Sequence, residues 1–235
     1  MDFLQNLMQR FIKPAIIINA TCLALIAIYI AIMLPTFNIG FYERQFIRND
    51  THSRINIEPE DLTVVTRHLL DYMRGRHNAL QIRAYIAGEE VDFFTERAVL
   101  HMVDVQNLFT GGRIIFNISL GLFFITLGLI VHKKQYARLG KTIRNTSLIT
   151  AAFFALIAII ALVSFDFAFE WFHHIFFFND LWMKHWDDTL LNMVPTPFFI
   201  SISIRIGLIL TGFLTIMLIG GELLRWRFTQ NTGGD

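Results

Sequence analysis

His101 has charged neighbours at the spacing that proton-transfer chemistry requires. Its surrounding sequence predicts a helix, with the imidazole on the face that carries the apolar side chains. Arg97 precedes it by four residues and Asp104 follows it by three, so a helix would bring both charged groups within its reach. An imidazole titrates near neutral pH and can act there as a general acid or base. A structural histidine held by its local carboxylate would show the same pattern.

A second pair of histidines, His173 and His174, stands within an aromatic stretch at 167–178. If the preceding apolar helix continues, it stacks Asp166, Glu170 and one of these histidines on one face. Glu170 could then hold that imidazole in a single tautomer, as a carboxylate does for a catalytic base. An interfacial helix with solvated histidines, within an ordinary aromatic belt, is the alternative.

The composition is that of a membrane protein. Of the 235 residues, 54% are hydrophobic and 17% are charged, and the mean hydropathy is +0.49. These values exclude a disordered chain. The single cysteine, Cys22, excludes an internal disulfide and a thiolate metal cluster. No phosphate-binding loop or nucleic-acid motif is present, and we expect neither a cofactor nor a resident metal.

Four apolar stretches are long enough to cross a hydrocarbon core of about 30 Å, which needs roughly 20 helical residues. They cover residues of about 14–34, 114–131, 147–165 and 198–220. No cleavage site follows the first stretch, so we interpret it as an uncleaved anchor. The sequence therefore predicts an all-α integral membrane protein, a four-helix transmembrane bundle forming one membrane domain over 1–235.

Basic residues in the short flanking segments predict the orientation of these spans. The segment 132–145 holds five lysines and arginines and no acid, whereas 166–197 holds five acids and one lysine. We therefore expect both termini in the cytoplasm, and residues of about 36–113 and 166–197 on the extracytoplasmic side. Seven of the eight histidines would then lie outside, where no ATP is available.

The first outer segment has the pattern of a small helical and hairpin subdomain. Pro59 and the two acids after it predict a helix start, and an apolar stripe continues from there to Gly75. Alternating apolar and polar residues before Gly88 predict a strand or hairpin. A second helix is expected from about Asp92 to Phe109, ending at two glycines that lead into the second span.

Arg205 is a charged residue inside the fourth apolar stretch. A charge within a membrane span is costly and is therefore a functional candidate. Snorkelling of the guanidinium to the outer surface is the alternative explanation.

Two histidine motifs resemble those of the lipoprotein intramolecular transacylases. The first resembles E-R-x-x-x-H-M-x-D-V and consists of Glu96, Arg97, His101, Met102, Asp104 and Val105, closed by Leu108-Phe109. The second consists of Phe172-His173-x-x-Phe176-Phe177, with Trp182 and Pro195-x-x-Phe198-Phe199. The helix before them fits through Leu69-Leu70-Asp71-Tyr72 and Gly75. The resemblance covers nearly the whole chain and includes four spans, with the large outer segment between the first two.

The resemblance implies acyl transfer within a lipoprotein, at the outer leaflet of the plasma membrane of Gram-positive bacteria. The substrate would carry an S-diacylglyceryl group and a free α-amine on its N-terminal cysteine. The acyl chain on the second glycerol carbon would move to that amine, giving an N-acyl, S-monoacylglyceryl (lyso-form) lipoprotein. The nucleophile is then the substrate's own amine, in agreement with the absence of a G-x-S-x-G sequence.

We expect His101 and His173 to be the proton-transfer pair of this reaction, because ester-to-amide transfer needs both a base and an acid. His174 is an extra histidine beside the motif and an alternative base. Asp104 and Glu170 are the candidate orienting carboxylates.

The remaining candidates would bind the substrate. Arg205, with Arg97 or Arg113, is the candidate contact for an oxyanion or for the glyceryl group. The expected lipid and substrate contacts are Phe172, Phe176, Phe177 and Trp182. Diacylglyceryl-modified lipoproteins and membrane lipid are the expected partners.

The sequence is also compatible with two other functions. A metal-dependent membrane hydrolase would draw its ligands from the second outer segment, although their spacing matches no H-E-x-x-H-type set. Its candidate ligands are His173, His174, His185, Asp180, Asp187 and Asp188. A non-enzymatic docking protein for lipoproteins would tolerate the loss of both motif histidines. Four spans with one charge offer no evident polar pathway for a transporter.

Overall fold

The computed structural model describes residues 2–183 and 188–230. Within these ranges the chain forms nine helices and one antiparallel pair of strands. The elements are α1 (Asp2–Thr36), α2 (Ile39–Arg48), α3 (Thr51–Ile55), α4 (Pro59–Met73), β1 (Arg83–Ile86), β2 (Glu89–Asp92), α5 (Glu96–His132), α6 (Tyr136–Val163), α7 (Phe165–Phe176), α8 (Thr189–Met193) and α9 (Thr196–Gln230).

The contacts divide the described residues into two compact units. The first, which we call the span unit, comprises 2–32, 113–159 and 207–230. The second, which we call the site unit, comprises 33–112, 160–183 and 188–206. Every histidine of the two sequence motifs belongs to the site unit.

Four of the described helices are long and apolar enough to cross a membrane: Phe11–Thr36 within α1, and α5, α6 and α9. The four predicted spans are therefore confirmed. Most side chains of α6 beyond residue 147 are exposed within the chain. Such exposure is expected of an apolar helix whose surroundings are lipid tails, because lipid is as apolar as the side chains themselves.

A hydrogen-bonded asparagine connects two helices of the span unit. Asn19 is almost completely buried, and its side-chain amide donates to the carbonyl of Phe123 and to the hydroxyl of Thr126, each at 2.9 Å. In an apolar interior an amide without partners would be costly, so these bonds favour one register of α1 against α5.

Two glycines allow a close approach of α6 and α9 in the same unit. A Cβ atom on Gly140 would lie 2.4 Å from the carbonyl oxygen of Gly221, and one on Gly221 would lie 2.8 Å from the carbonyl oxygen of Gly140. Next to this contact, Glu222 pairs with Arg144 across the two helices at 3.3 Å and with Arg225 on its own helix. Backbone contact and charge pairing therefore coincide at one end of α6.

The site unit has its core around α4. The predicted stripe after Pro59 is buried, since Leu62, Val65 and Leu69 each expose 4% or less of their surface. The predicted hairpin is also present: Ala87 and Gly88 join β1 to β2 with positive φ values of 54° and 84°, the pattern of a two-residue type I′ turn. Helix α2, which no sequence pattern predicted, contributes apolar side chains to the same core: Phe41, Tyr42 and Phe46.

The second outer helix differs from its prediction at both ends. Residues 89–92 form β2, so α5 begins at Glu96. The prediction that the helix ends at two glycines is wrong, because α5 continues through them to His132. No heavy atom beyond the local backbone lies within 4 Å of a Cβ built on Gly111, so no close contact is made there. A break before an apolar span would also leave backbone groups without partners.

The third span ends earlier than predicted and does not continue outward as one helix. Ser164 adopts an extended conformation (φ −153°, ψ 103°), and its hydroxyl accepts a hydrogen bond from the amide of Phe167 at 3.3 Å. This N-cap begins the separate helix α7, which carries His173. Asp166, Glu170 and both histidines all lie on α7, so their helical spacing is kept although α7 is not a continuation of the third span.

Replacement of Gly140 by alanine should destabilise the protein, although alanine is the better helix former. The new Cβ would clash with two backbone atoms of α9, at 2.4 and 2.5 Å, which cannot move aside as a flexible side chain would. We expect a loss of about 1–3 kcal/mol in the free energy of unfolding, the usual cost of overpacking.

Thermal unfolding in detergent measures this effect, and Gly212→Ala is its matched control. Gly212 lies on α9, where a Cβ would meet no heavy atom within 4 Å, so this variant should unfold at or above the wild-type temperature. A Gly140→Ala protein as stable as Gly212→Ala would contradict the close contact.

Candidate active site

The structure brings His101 and His173 together within the site unit. Their ring centroids lie 6.2 Å apart, with 33° between the ring planes. The ring of Phe177 contacts both imidazoles, at 5.1 Å from His101 and 5.4 Å from His173. The two sequence motifs thus meet at one place, although they belong to different helices.

One face of α5 holds the turn that follows α7. Arg97 donates from Nη2 to the carbonyl oxygen of Asp180. Asp104 accepts a 2.8 Å hydrogen bond from the side-chain amide of Asn179. Since residues 97, 101 and 104 share one helix face, these two bonds hold the turn on either side of His101.

His173 is held in one tautomer by its own helix. It exposes 7% of its surface, and its Nδ1 lies 2.7 Å from the carbonyl oxygen of Phe169. A carbonyl oxygen only accepts, so Nδ1 carries the proton and Nε2 of the neutral ring carries the lone pair. Trp182 stacks on the ring at 4.9 Å, and Phe169 packs against it at 4.1 Å.

His174 and Glu170 form a separate pair on α7. Their side chains are half-exposed, and the His174 Nε2 lies 3.7 Å from a Glu170 carboxylate oxygen. Adjacent residues on a helix point about 100° apart, so His174 cannot share the buried direction of His173. The structure therefore places Glu170 beside His174, whereas a backbone carbonyl orients His173.

Asp104 also has a different partner from the one that its spacing suggested. Its hydrogen bond goes to Asn179, and Nδ1 of His101 has no hydrogen-bond partner among the described residues. Asp104 still acts on His101 electrostatically, because its negative charge favours the protonated imidazole and so raises the His101 pKa.

Burial keeps both imidazoles uncharged at neutral pH. His101 precedes the apolar stretch of α5, and its removal from water lowers its pKa from 6.5 to about 4. The neighbouring His173 and Arg97 also lower this pKa, whereas Asp104 raises it. Burial likewise lowers the pKa of His173, against the opposing effect of its hydrogen bond to Phe169. Both imidazoles therefore favour their uncharged forms.

Two buried N–H groups near the imidazoles also lack partners. Neither Nε of Arg97 nor Nε1 of Trp182 finds a hydrogen-bond acceptor in the described parts of the chain. From the sequence, Trp182 was expected as a lipid or substrate contact. Its stacking on His173 adds a polar group to the site that no sequence pattern indicated, because an indole can pack through its face and donate from its edge.

An aromatic groove of about 320 Å³ runs beside the imidazole pair. Its walls include Asp104 and Leu108 from α5 and the consecutive residues Phe176, Phe177 and Phe178. Phe177 is buried against both imidazoles, whereas Phe178 is 98% exposed. Phe172, the remaining predicted aromatic contact, meets the His173 ring edge-on at 5.3 Å.

The arginines expected at the site have different positions. Arg97 lies one helical turn before His101. Arg205 lies on α9 with its guanidinium 5.4 Å from the centre of the Phe41 ring, and Arg113 is exposed on α5. Arg97 contacts the turn beside the imidazole pair through its bond to the Asp180 carbonyl, and its charge acts on His101.

No three histidine, cysteine or acidic side chains within 2–183 and 188–230 are grouped closely enough to hold a metal ion. The metal-hydrolase alternative also named His185 and Asp187, which lie outside the described residues. Asp188 is buried, and its carboxylate caps α8 by accepting from the amide of Leu190 at 2.9 Å.

Comparisons with known proteins point to one family. The family model described as lipoprotein intramolecular transacylase Lit matches residues 17–199. The fold is similar to the in meso structure of the membrane integral lipoprotein intramolecular transacylase Lit from Bacillus cereus. That match has a TM-score of 0.79 and 17% identity, and covers 94% of this chain and 99% of that one. A search of curated protein sequences finds no match.

Two further structures of the Bacillus cereus protein carry a single histidine mutation. The variant with arginine has a TM-score of 0.73 and 17% identity, and the match covers 97% of each chain. The variant with alanine has a TM-score of 0.74 and 16% identity, and the match covers 98% of this chain and 99% of that one. These likenesses establish the membrane-integral, all-α fold.

Acidification should destabilise the protein through His101. The pKa of its folded form lies below its unfolded value of 6.5, so in this window the unfolded chain takes up a proton that the folded chain excludes until about pH 4. The free energy of unfolding should therefore fall as the pH falls, by up to about 1.4 kcal/mol per pH unit.

Thermal unfolding in detergent at about pH 7.5 and about pH 5 tests this linkage. The unfolding temperature should fall less for His101→Gln than for the wild type, since glutamine takes up no proton. The exposed His77 offers a matched control, and His77→Gln should follow the wild type. Equal decreases for all three proteins would show that His101 does not titrate as described.

Proposed function

This chain belongs to the lipoprotein intramolecular transacylase family, and we propose that it transfers an acyl chain within a diacylated bacterial lipoprotein. The chain leaves the second glycerol carbon (sn-2) of the S-diacylglyceryl group and joins the α-amine of the N-terminal cysteine. The product is the N-acyl, S-monoacylglyceryl form. The observation that carries this proposal is the meeting of the buried His173 with the partly buried His101, whose pKa values are both lowered by removal from water.

The reaction needs one proton to be moved and no external energy. The amine nitrogen attacks the ester carbonyl carbon, and the carbonyl π electrons move to its oxygen. A proton then leaves the new ammonium for an imidazole. The bond between the carbonyl carbon and the glycerol oxygen breaks as that oxygen receives the proton, so the ester becomes an amide and a free hydroxyl.

The lowered pKa values of both histidines suit the proton-transfer steps of this reaction. Attack on the carbonyl makes the amine nitrogen strongly acidic, so a weakly basic imidazole suffices to accept its proton. The resulting imidazolium is a strong acid because its charge is poorly solvated. It can therefore protonate the glycerol oxygen, which is a poor leaving group without a proton.

His173 is the better candidate for the proton acceptor. Its Nδ1–H bond to the Phe169 carbonyl leaves the Nε2 lone pair available. His101, with its ring 6.2 Å away, takes the proton from the His173 imidazolium and gives it to the glycerol oxygen. His174 pairs with Glu170 in a half-exposed position and has no part in this path.

The surroundings of the pair support an intramolecular reaction on a lipid. Phe176 and Phe177 in the groove offer apolar surface for an acyl chain, and the polar side chains of Asp104, Asn107 and Asn179 line the same groove. Amine and ester belong to one substrate, so binding in a fixed geometry can contribute several kcal/mol, on the order of that gained in oriented intramolecular reactions. We retain Arg205 as a candidate contact for the glyceryl oxygens.

We further propose that the site faces the extracytoplasmic side of the plasma membrane, with both termini in the cytoplasm. The basic segment 132–145 and the acidic segment 166–197 support this orientation. The site unit would then meet the outer leaflet, where newly diacylated lipoproteins reside.

Substitution of either histidine should abolish N-acylation without loss of the folded protein. His101→Gln and His173→Gln each remove a proton-transfer group, which typically contributes 10²- to 10⁴-fold in rate. The measurement is mass spectrometry of a lipoprotein N-terminal peptide from a host that lacks its own N-acyltransferase. The wild type should move one acyl chain from glycerol to the amine with no change of mass.

His174→Gln is the matched control for these variants, because it removes the adjacent imidazole but leaves the buried pair intact. It should retain activity within a few-fold of the wild type. An unchanged diacylglyceryl peptide with a free amine in the presence of the wild type would overturn the proposed function. Wild-type activity of both motif variants would remove the histidines from the proton path and favour a docking role for this site.

A further inference from the structure

Three buried polar atoms without partners surround the imidazole pair. They are Nε of Arg97, Nδ1 of His101 and Nε1 of Trp182, and none has a hydrogen-bond partner within the described residues. A buried polar group that is left unpaired destabilises the protein. Most buried polar groups in proteins are paired, so a cluster of exceptions beside a reactive pair indicates a bound group that supplies the partners.

The chemistry of these atoms restricts that group. The indole Nε1–H of Trp182 and the guanidinium Nε–H of Arg97 can donate hydrogen bonds but cannot accept them. A ligand that met both N–H groups would have to present an acceptor atom, and an oxygen with negative charge would gain most from them. In ester-to-amide transfer, the carbonyl oxygen of the ester is the atom that becomes negative.

Both donors are held in place by contacts that leave these N–H groups unused. Trp182 stacks on His173 at 4.9 Å with 29° between the planes, so its N–H lies at the edge of the ring that packs on the proton acceptor. Arg97 uses Nη2 to bind the Asp180 carbonyl, which orients its guanidinium one helical turn from His101. Asp180 and Trp182 belong to the same turn, so one bond positions both donors.

We infer that Trp182 Nε1–H and Arg97 Nε–H form the oxyanion-binding site of the transacylation. This inference rests on the proposed function and assigns its carbonyl contact to these two residues. As the amine nitrogen bonds to the carbonyl carbon, the displaced π electrons collect on the carbonyl oxygen between the two donors. When those electrons return, the bond to the glycerol oxygen breaks and the donors again face a neutral carbonyl.

The first test is Trp182→Phe, which keeps an aromatic ring against His173 and removes the N–H. Loss of one oxyanion-site donor typically lowers kcat by about 10²- to 10³-fold, and we expect a decrease of this size with little change in KM. Trp171→Phe is the matched control, since Trp171 is a 55% exposed residue of α7. It should retain wild-type kcat.

A pair of substrate analogues tests whether the N–H acts on the oxyanion. A lipopeptide with a phosphonate in place of the sn-2 ester presents a tetrahedral anion, whereas one with an ether presents no carbonyl oxygen. Trp182→Phe should weaken binding of the phosphonate by about the factor that it removes from kcat. Binding of the ether should not change. Equal weakening of both analogues would show that Trp182 only shapes the pocket, and would overturn the inference.

If the Trp182→Phe protein does not fold, incorporation of 3-benzothienyl-alanine at position 182 replaces it as the test. This residue has the size and stacking surface of tryptophan but has sulfur in place of the N–H, so it should reproduce the kcat decrease. A benzothienyl-alanine protein with wild-type kcat and wild-type phosphonate affinity refutes the oxyanion site while the transacylase function stands. Absence of acyl transfer by the wild type would instead refute the function itself.

Discussion

Removal of two neighbouring imidazoles from water is the interaction on which the proposed chemistry of this protein depends. His101 and His173 share the ring of Phe177 as a neighbour, and the removal of both from water disfavours their charged forms. No carboxylate among the described residues hydrogen-bonds to either ring. The site is thus unlike a hydrolase triad, in which a buried acid stabilises the imidazolium. In the proposed acyl transfer, an imidazolium formed here would be strongly acidic, as protonation of the leaving glycerol oxygen requires.

The architecture around the pair serves to hold two helices and one turn in register. Helix α5 presents Arg97, His101 and Asp104 on one face. Arg97 and Asp104 bind the turn after α7. Helix α7 is separate from the third span and has Ser164 as its N-cap, so the direction of His173 does not depend on that span. Core packing of α4 supports the same end of α5, where Gln106 donates to the Tyr72 carbonyl at 2.6 Å. Positioning therefore depends on backbone carbonyls and caps more than on ion pairs.

The fold and the site support different parts of the proposed function. The structural likeness to the Bacillus cereus protein extends over 94% of the chain at only 17% identity. Much of a membrane-spanning sequence can vary because any apolar residue satisfies the hydrocarbon, so low identity is compatible with one fold. A fold can support several activities, and the family match at residues 17–199 therefore matters most where it includes both histidine motifs. Roles for single residues rest on the geometry of the site.

The four spans, the helix that begins at Pro59 and the hairpin at Gly88 could all be predicted from the sequence, because hydropathy, proline and glycine act locally. The spacing of Arg97, His101 and Asp104 likewise predicted one shared face. Only the tertiary structure decided the partners on that face: Asp104 binds Asn179, Glu170 lies beside His174, and a backbone carbonyl orients His173. It also placed the Trp182 N–H at the site. Helical spacing limits which side chains can meet, but the choice among them depends on packing between segments distant in sequence, which a local pattern does not encode.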